Sequence, residues 1–394
     1  MVLDGMSARR VRAERFGATV AMRAPAAVVS VDRVLARRLG VDGGALWAGD
    51  APAPATVRAL SGPNEVHVAV TERCPAGCSG CYADATREGL EPSFDELAAR
   101  LRALAAMGTL SIAFGGGEAS LRADLPALGA LARELGMTPS VTTSGLGIDR
   151  ERAIAMRVFE QVNVSHDGVD GAYRAVRGFA GEHVAERAIA HLRAAGVTVG
   201  VNTVLTRESF DRLEQTAAHV EALGAVELQL VRLKPSGRGR LEYLARRLDP
   251  ARVAALPELL RRISGERAIG VRIDCALLPF VASHGAMRGE DLVRLGVSGC
   301  EAGRSLLAVR ADGRTSGCSF VRDDAQAGPL AWDDNDALER FRDHVARAPE
   351  PCASCPVRIA CRGGCRVVAA FVAGDAWAPD PECPRVQASQ NGKR

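Results

Sequence analysis

The sequence predicts an α/β fold, a partial (β/α)6 barrel with a small N-terminal hairpin–helix region and a C-terminal cysteine-rich domain. Between residue 65 and about residue 240, β-branched apolar runs alternate with segments of helical periodicity. The strand segments are continuously apolar, as buried parallel strands are. Eight of the eleven cysteines lie beyond residue 265, where helical periodicity fades. Because six βα units are fewer than the eight of a closed barrel, we expect one open side that admits a large substrate.

Residues 1–62 are predicted to form a separate N-terminal region. GATVAMRAP and AAVVSVD alternate in polarity and are separated by Ala24-Pro25-Ala26, which predicts a hairpin. DRVLARRLG then predicts a short helix that ends at Gly40, and GDAPAPAT has the composition of a linker.

Residues 63–265 are predicted to form the partial barrel. Five helices separate its strands, and the first runs from an N-cap at Ser93 to a stop at Gly108. The cysteine-rich domain is predicted over 266–385, followed by a disordered polar tail over 386–394. The six strand segments are VHVAVTE, LSIAFGGGE, PSVTTSG, QVNVSHDG, VTVGVNTVLT and VELQLVRL.

Composition excludes several classes of function. The net charge is +3 and no basic run or basic–aromatic stripe occurs, so we expect no nucleic-acid partner. No apolar stretch of membrane-spanning length and no secretory signal is found, so we expect no membrane association and a cytoplasmic location. In a reducing compartment a cysteine-dense chain is expected to bind metal rather than to form disulfides.

Three cysteines lie close together directly after the first strand of the predicted barrel, at Cys74, Cys78 and Cys81. A structural zinc site normally has four protein ligands, and no fourth cysteine or histidine lies nearby in this loop. A [4Fe–4S] cluster held by three thiolates keeps one iron free for an exogenous ligand. The spacing therefore favours such a cluster, with an incomplete zinc knuckle as the alternative.

The segment Cys74-x3-Cys78-x2-Cys81-Tyr82 resembles the signature of the radical S-adenosylmethionine (SAM) superfamily. That resemblance implies that the open iron chelates SAM, and that reductive cleavage of SAM yields a 5′-deoxyadenosyl radical. This sequence departs from the usual pattern at two positions. Gly80 replaces an aromatic residue, and Ala119 replaces the proline of the GGEP-like motif.

The resemblance also implies a set of SAM-binding residues. Arg177 resembles the arginine that pairs with the SAM carboxylate, although a surface arginine is an equally good interpretation. Asn202 and Gln229 are polar residues in apolar strands, and each is either a cofactor contact or a satisfied core amide. The candidate cofactor-binding residues are Tyr82, Gly116, Gly117, Glu118, Ser144, Ser165, Asp167, Arg177 and Asn202.

A second cysteine set resembles the SPASM extension of radical SAM enzymes, with the patterns Cx12Gx4C and Cx2Cx5Cx3C followed by a last cysteine. The resemblance implies an outer auxiliary [4Fe–4S] cluster and an inner one, three clusters in all. Cys275 is the one cysteine left, and it is either the fourth inner ligand or a buried thiol. The auxiliary clusters would either carry an electron away from the substrate or hold the domain together. The predicted outer ligands are Cys352, Cys355, Cys361 and Cys383, and the inner ligands are Cys300, Cys318, Cys365 and Cys275.

The resemblance favours modification of a ribosomally made precursor peptide, with an oxidative crosslink or a related product. Alternatives are a small-molecule reaction such as porphyrin-type decarboxylation or alcohol oxidation, sulfatase maturation, and a non-catalytic iron–sulfur carrier. Ser319 stands where sulfatase-maturing relatives carry a catalytic Asp, which argues against that activity. The catalytic base is not identified, and Asp274, Asp312 and His166 are candidates.

Several partners are implied by the same resemblance. They are the precursor peptide and an electron donor of the flavodoxin or ferredoxin type. Residues 1–62 resemble a truncated leader-peptide-binding domain, but they could equally cap the barrel. In the second case, recognition of the leader would rest on a separate protein or on the mouth of the barrel.

Overall fold

The computed structural model describes residues 8–23, 26–282, 288, 289, 292, 297–322 and 327–391. The described part of the N-terminal region forms a three-stranded antiparallel sheet in the order β1-β2-β3, followed by helix α1. The predicted hairpin is β2–β3, with Gly17 opposite Asp32. Strand β1 was not predicted from the sequence, because its residues ARRVRAE include four charged side chains. The bounds are Ala8–Glu14 (β1), Gly17–Arg23 (β2), Ala26–Asp32 (β3) and Arg33–Arg38 (α1).

A nine-stranded sheet organises the rest of the chain, in the order β10-β9-β8-β7-β6-β5-β4-β11-β12. Strands β4 to β9 are parallel neighbours in chain order, which confirms the predicted α/β fold. The bounds are Glu65–Thr71 (β4), Ser111–Gly116 (β5), Thr138–Thr143 (β6), Gln161–Ser165 (β7), Val199–Leu205 (β8), Glu227–Arg232 (β9), Gly270–Ile273 (β10), Leu306–Val309 (β11) and Thr315–Ser316 (β12).

Helices follow the parallel strands and bury apolar faces against the sheet. Helix α2 begins at the predicted N-cap, where Ser93 and Glu96 form a reciprocal capping box, and the chain turns at Gly108 with φ of 79°. The bounds are Phe94–Ala106 (α2), Leu125–Glu134 (α3), Arg150–Ala155 (α4), Ala172–Arg177 (α5), Glu182–Ala194 (α6), Arg207–Phe210 (α7), Leu213–Ala222 (α8), Gly239–Arg246 (α9) and Pro250–Glu266 (α10). Among the described residues, no helix combines the length and apolar composition that a membrane crossing needs.

Strands that follow the predicted domain boundary at residue 265 belong to the same sheet as the strands before it. Strand β10 extends the sheet beside β9, and β11 extends it beside β4. The tail predicted to be disordered from residue 386 is helical as far as Asn391, and residues 392–394 lie outside the described residues. The helices of the C-terminal region are Leu278–Ala282 (α11), Asp336–His344 (α12), Arg358–Cys361 (α13), Arg366–Ala373 (α14) and Pro384–Asn391 (α15).

Two arginines of β1 fix the N-terminal sheet to the C-terminal end of α2. The Arg10 guanidinium donates to the carbonyls of Ala105 (2.5 Å) and Thr109 (2.8 Å). The Arg12 guanidinium donates to the Gly108 carbonyl at 2.9 Å and forms a buried ion pair with Glu14. Guanidinium groups at the last carbonyls of a helix satisfy acceptors that have no partner within the helix. The N-terminal sheet is therefore attached through β1 to the C-terminal end of α2.

A buried ionic network joins the barrel to the C-terminal region. Arg232 at the end of β9 donates to Asp380 at 2.6 and 3.1 Å and to Glu382 at 2.8 Å. Asp380 also accepts from the backbone N–H of Cys365 at 2.9 Å. All three charged side chains are at least nine-tenths buried. The network therefore sets the position of the segment that carries Cys365 and Cys383.

Replacing Arg232 with methionine should destabilise the protein strongly. The substitution leaves the buried Asp380 carboxylate without a counter-charge, whereas Glu382 keeps its ion pair with Arg247. An uncompensated buried charge costs about 3–5 kcal/mol. Anaerobic denaturant unfolding followed by circular dichroism measures the loss. Arg261→Met is the control, because the Arg261–Glu258 pair is mostly exposed, and its midpoint should not change. An unchanged midpoint for Arg232→Met would show that the network has no net stabilising role.

Candidate active site

The three cysteines of the first set lie on the loop that follows β4, and all three are free and half-buried. Burial raises the pKa of the Cys74 thiol, and the nearby groups Cys78, Cys81 and Glu118 add to the rise. The Cys74 backbone N–H donates to the Thr86 carbonyl at 2.7 Å, which closes the loop. Cys78 and Cys81 both affect the ionisation of Cys74, so the three thiols share one neighbourhood, as ligands of one cluster would.

A second loop, residues 233–238 after β9, clamps the cysteine loop in place. The Arg238 side chain donates to the Cys78 carbonyl at 3.1 Å, and its backbone N–H donates to the Cys81 carbonyl at 3.0 Å. Gly237 has φ of 55°, and a Cβ there would lie 2.5 Å from the Cys81 carbonyl oxygen. Only glycine allows this approach of the two backbones. The sequence predicts a loop here, but the sequence reasoning assigned the loop no role at the site, for which the SGRG turn after a strand was the available signal.

The glycine run at the end of β5 packs against the start of the cysteine loop. A Cβ on Gly116 would lie 2.1 Å from the Thr71 carbonyl oxygen, and one on Gly117 would lie 2.2 Å from that of Arg73. Gly115, in contrast, has open space where a Cβ would stand. The ladder between β5 and β6 ends at Phe114, so on the β6 side the glycine backbone beyond it is unpaired, while β4 still pairs with Gly115 and Gly116. This arrangement fits close approach of a ligand to the backbone.

The Glu118 carboxylate binds to protein groups at the end of β6. It accepts from the Thr143 hydroxyl at 2.6 Å, from the Ser144 backbone N–H at 2.8 Å and from the Ser144 hydroxyl. It also accepts from Ser120 at 2.7 Å, and the Glu118 side chain is almost fully buried. Glu118 and Ser144, both predicted to bind cofactor, therefore bind each other. Their side chains fix the geometry of the strand ends.

Arg177 lies between a buried carboxylate and the first cysteine set. Its Nε donates to Asp167 Oδ2 at 2.5 Å, and its Nη1 lies 3.7 Å from Cys78 Sγ. Burial lowers the pKa of Arg177, but Asp167 and Cys78 outweigh burial, so the net pKa is raised. The Asp167 Oδ1 in turn accepts from the Val204 backbone N–H at 2.8 Å. Arg177 is therefore neither a surface arginine nor free of protein partners, and it sets a positive charge beside the Cys78 sulfur.

Ser165 ends β7 and is in register with Asn202, which lies in the middle of β8. The Asn202 Oδ1 is buried and has no hydrogen-bond partner among the described residues. A buried acceptor without a partner carries a desolvation cost that a bound ligand would relieve. Gln229, on the next strand, accepts from Arg272 at 3.1 Å and is therefore satisfied within the protein.

The four predicted inner cysteines lie close enough to affect one another's ionisation. Burial raises the pKa of Cys275, and Asp274, Cys300 and Cys318 raise it further. Burial likewise raises the pKa of Cys318 to about 12, with contributions from Cys300 and Cys365. Such thiols become thiolates when a bound metal supplies positive charge. Cys275 is thus close to Cys300 and Cys318, and these two are close to Cys365.

Lys234 is a buried cation beside the inner cysteines, and the sequence reasoning did not identify it. Its ammonium pairs with Asp274 and lies 4.1 Å from the centroid of the Phe320 ring. Burial lowers the pKa of Lys234, but Asp274, Cys365 and Cys275 outweigh that effect and raise it. The positive charge therefore faces thiol groups that would become anionic on metal binding.

Tyr82 lies between the first and the inner cysteine sets. Its ring packs on the Phe320 ring, with the centroids 4.6 Å apart. The Ser236 hydroxyl lies between the two backbones, 3.1 Å from the Tyr82 carbonyl oxygen and 2.8 Å from the Phe320 carbonyl oxygen. Burial raises the pKa of Tyr82 to about 12, and Cys81 and Cys318 contribute to the rise. Tyr82 therefore stays a neutral phenol at physiological pH.

The four predicted outer cysteines line one cavity together with Asp380. Burial raises the pKa of Cys361 to about 12 and that of Cys352 to about 11, and Cys383 contributes to both. The outer ligands are Cys352, Cys355, Cys361 and Cys383.

The three candidate bases occupy different places. Asp274 lies beside the inner cysteines, although its carboxylate is paired with Lys234. Asp312 is exposed and lies 3.3 Å from Arg314. His166 is buried against Tyr173 and His219. Ser319, the residue that replaces the catalytic Asp of sulfatase-maturing relatives, lies 3.3 Å from His67 Nδ1. Of the three bases, Asp274 alone lies beside a cysteine set.

The sheet and the cysteine loop define the class of protein. The family described as the Radical SAM superfamily matches residues 68–220. A PqqA peptide cyclase of Streptomyces rochei is 30% identical over 334 residues, which cover 82% of this chain and 90% of that protein. The chain belongs to the radical SAM superfamily and is a radical SAM enzyme.

Other relatives and solved structures agree with this assignment. A PqqA peptide cyclase of Xanthomonas campestris is 30% identical over 341 residues, covering 82% of this chain and 87% of that protein. The structure of Streptococcus suis SuiB bound to the precursor peptide SuiA shares the fold, with a TM-score of 0.70 at 16% identity over 95% of this chain and 98% of that one. The structure of anSMEcpe with bound AdoMet has a TM-score of 0.62 at 18% identity, covering 84% and 100%.

The family implies a [4Fe–4S] cluster and SAM, and the residues present fit both groups. Three free thiols on one loop are a suitable donor set for a cluster with an open iron. The unpartnered Asn202 oxygen and the open space beside Gly115 suit a polar ligand at the strand ends.

Replacing Gly237 with valine should remove most SAM cleavage. The side chain would meet the Cys81 carbonyl, and a β-branched residue at positive φ is strained, so the cysteine loop would be displaced. We expect 5′-deoxyadenosine formation to fall at least about tenfold, a loss of about 1.4 kcal/mol in transition-state stabilisation. Gly265→Val in α10 is the matched control, because no atom lies within 4 Å of its Cβ position. Equal rates for the two variants would contradict the clamping role.

Proposed function

We propose that this radical SAM enzyme modifies a ribosomally made precursor peptide and forms an oxidative crosslink or a related product. The observation that carries the proposal is the similarity to PqqA peptide cyclases over 82% of the chain, far beyond residues 68–220. The fold shared with SuiB, whose structure was solved with its precursor peptide, supports it.

The first cysteine set and the strand ends would hold the reactive cofactors. Cys74, Cys78 and Cys81 would bind the SAM-binding cluster, which with SAM supplies a 5′-deoxyadenosyl radical for hydrogen abstraction. Arg177 sets a charge beside the Cys78 sulfur, and hydrogen bonds to sulfur tune the potential of an iron–sulfur centre. The backbone of Gly116 and Gly117 and the side chains of Ser165 and Asn202 would receive SAM.

The C-terminal cysteines would hold two further [4Fe–4S] clusters, an outer one in the cavity of Cys352, Cys355, Cys361 and Cys383 and an inner one beside Lys234. We infer that Cys275 is the fourth inner ligand, because Cys300 and Cys318 both affect its ionisation. Lys234, which also pairs with Asp274, would then place a positive charge beside the thiolates of Cys275 and Cys365.

The proposed division of the chain is a peptide-binding region over 1–62, a radical SAM core over 63–265 and an auxiliary-cluster domain over 266–385. Strand β3 lies at the edge of its sheet, and Val28 and Val29 are exposed on it. An edge strand with exposed apolar side chains is a template for strand addition by an extended peptide. The leader of the precursor would pair there, with a flavodoxin- or ferredoxin-type protein as electron donor.

The decisive test is anaerobic incubation of the reconstituted enzyme with SAM, a reductant and a short peptide encoded beside its gene. We expect 5′-deoxyadenosine and a peptide that has lost two hydrogens, both read by mass spectrometry. Omission of SAM is the control. If 5′-deoxyadenosine forms while every peptide offered keeps its mass, the small-molecule alternative replaces this proposal.

Charging the β3 edge should weaken peptide binding without affecting the chemistry. For the double variant Val28→Glu, Val29→Glu we expect KM for the peptide to rise at least about tenfold with kcat unchanged, because uniform binding energy is lost. Val34→Glu, a substitution at an exposed position of α1, is the control. An unchanged KM would exclude the β3 edge and assign leader recognition to a separate protein or to the mouth of the barrel.

A further inference from the structure

A cluster of two histidines and a glutamate lies on the helical side of the sheet, apart from the cysteines. His166 follows β7, Glu186 belongs to α6, and His219 belongs to α8. One ligand atom from each residue lies within 4.8 Å of the other two. The His219 Nε2 is 2.7 Å from Glu186 Oε1, and the His166 Nε2 is 3.5 Å from that oxygen.

His166 supplies an independent sign that this cluster binds a ligand. Its ring is fully buried, and neither ring nitrogen has a hydrogen-bond partner among the described residues. The contact with Glu186 at 3.5 Å does not meet hydrogen-bond geometry. An imidazole buried without partners carries a desolvation cost, and a metal ion that accepts its lone pair would offset that cost. Burial also lowers the pKa of His166, so the ring is in its neutral form.

The surroundings of the cluster favour a cation. The three side chains line a shared cavity that also contains the carboxylates of Asp170 and Glu182 and has no lysine or arginine in its lining. One cation stands at the rim, where Arg212 lies 3.8 Å from Asp170. The cavity leaves room for water or another small ligand as a fourth donor.

We infer that His166, Glu186 and His219 form a binding site for a divalent transition-metal ion, with Zn²⁺ as the best match. Two imidazoles and one carboxylate are a zinc donor set, and a tetrahedral ion with bonds of 2.0–2.1 Å separates its ligand atoms by about 3.3 Å. The observed separations of 2.7 and 3.5 Å lie on either side of that value. Bound Zn²⁺ would link α6 and α8 to the end of β7, next to Asp167 and its partner Arg177.

Zinc binding to the cluster-loaded enzyme tests the inference. Protein with its iron–sulfur clusters intact is equilibrated anaerobically with ZnCl₂ and desalted, and zinc is then counted by mass spectrometry and examined by X-ray absorption at the zinc edge. We expect one zinc per chain with nitrogen and oxygen neighbours and no sulfur. The identity of the zinc neighbours in the absorption spectrum distinguishes the proposed site from zinc bound by cysteines. This measurement does not depend on catalytic activity.

Two variants complete the test. His219→Ala changes a half-exposed ring and should lower zinc affinity at least about a hundredfold. Loss of a residue that only supports a metal ligand lowers affinity by up to about a hundredfold, so loss of a direct ligand should cost at least that much. His183→Ala, at an exposed position of the same helix as Glu186, should bind zinc like the unchanged protein. A sulfur-containing zinc shell, no bound zinc, or full binding by His219→Ala would each overturn the inference.

Discussion

Replacing Cys78 with alanine is expected to abolish SAM cleavage. Three thiolates are the minimum that holds a four-iron cluster with one open position, so the variant has too few ligands. Cys78 is also the cysteine whose sulfur lies 3.7 Å from Arg177 and whose carbonyl accepts from Arg238. We expect 5′-deoxyadenosine formation to fall at least about a thousandfold, or about 4 kcal/mol in barrier height.

The control for Cys78→Ala is Ser79→Ala in the same loop. The Ser79 hydroxyl makes one bond, to Glu242 at 3.3 Å, so its loss should change the cleavage rate little. Iron analysis on both proteins separates loss of the cluster from misfolding, because the eight C-terminal cysteines should still bind iron in the Cys78 variant. Cleavage by Cys78→Ala at the rate of the unchanged enzyme would exclude the first cysteine set as the SAM-binding centre.

The parallel core was predictable because its signals are local. Strands β4 to β9 are short apolar runs bounded by turns, and the intervening helices have clear periodicity. The capping box at Ser93 and Glu96 uses residues three apart, so the sequence shows it directly. Likewise, Cys74, Cys78 and Cys81 lie within one loop, so the sequence alone was sufficient to propose them as a set.

The edges of the sheet were not predictable in this way, since they depend on pairing between distant segments. Leu306 of β11 pairs with Glu65 of β4, and β10 and β11 are only four residues long. The network of Arg232 with Asp380 and Glu382 joins residues about 150 positions apart. No periodic pattern reports such contacts, so the boundary at residue 265 was placed where helical periodicity fades and not where the sheet ends.

Side-chain partners within the site were also beyond the sequence. A motif resemblance placed Glu118 and Arg177 near SAM, but it could not show that the Glu118 carboxylate is occupied by Ser120, Thr143 and Ser144. Lys234 carried no motif at all, and its importance became visible only when β9 and the C-terminal cysteines were seen together. Electrostatic roles of this kind depend on burial, which a linear pattern does not specify.

Replacing Lys234 with methionine is expected to abolish peptide modification while SAM cleavage persists. The substitution removes the cation beside Cys275 and Cys365 and leaves Asp274, which is about nine-tenths buried, without its counter-charge. An uncompensated buried charge costs about 3–5 kcal/mol, and the thiolates of Cys275 and Cys365 would lose the cation beside them. We expect about four fewer iron atoms per chain and at least about a tenfold loss of modified peptide, with 5′-deoxyadenosine formation within about threefold of the unchanged enzyme.

Two further variants distinguish charge balance from loss of packing at Lys234. The double variant Lys234→Met, Asp274→Asn removes both charges while the Asn side-chain oxygen can still accept from the Ala276 backbone N–H, so it should recover part of the lost iron and stability. Arg240→Met, at an exposed position on α9, controls for removal of a cation and should have no effect. If the double variant binds no more iron than Lys234→Met alone, Lys234 acts by filling space. Charge balance is the stronger explanation because the ammonium faces a carboxylate and two cysteines at once.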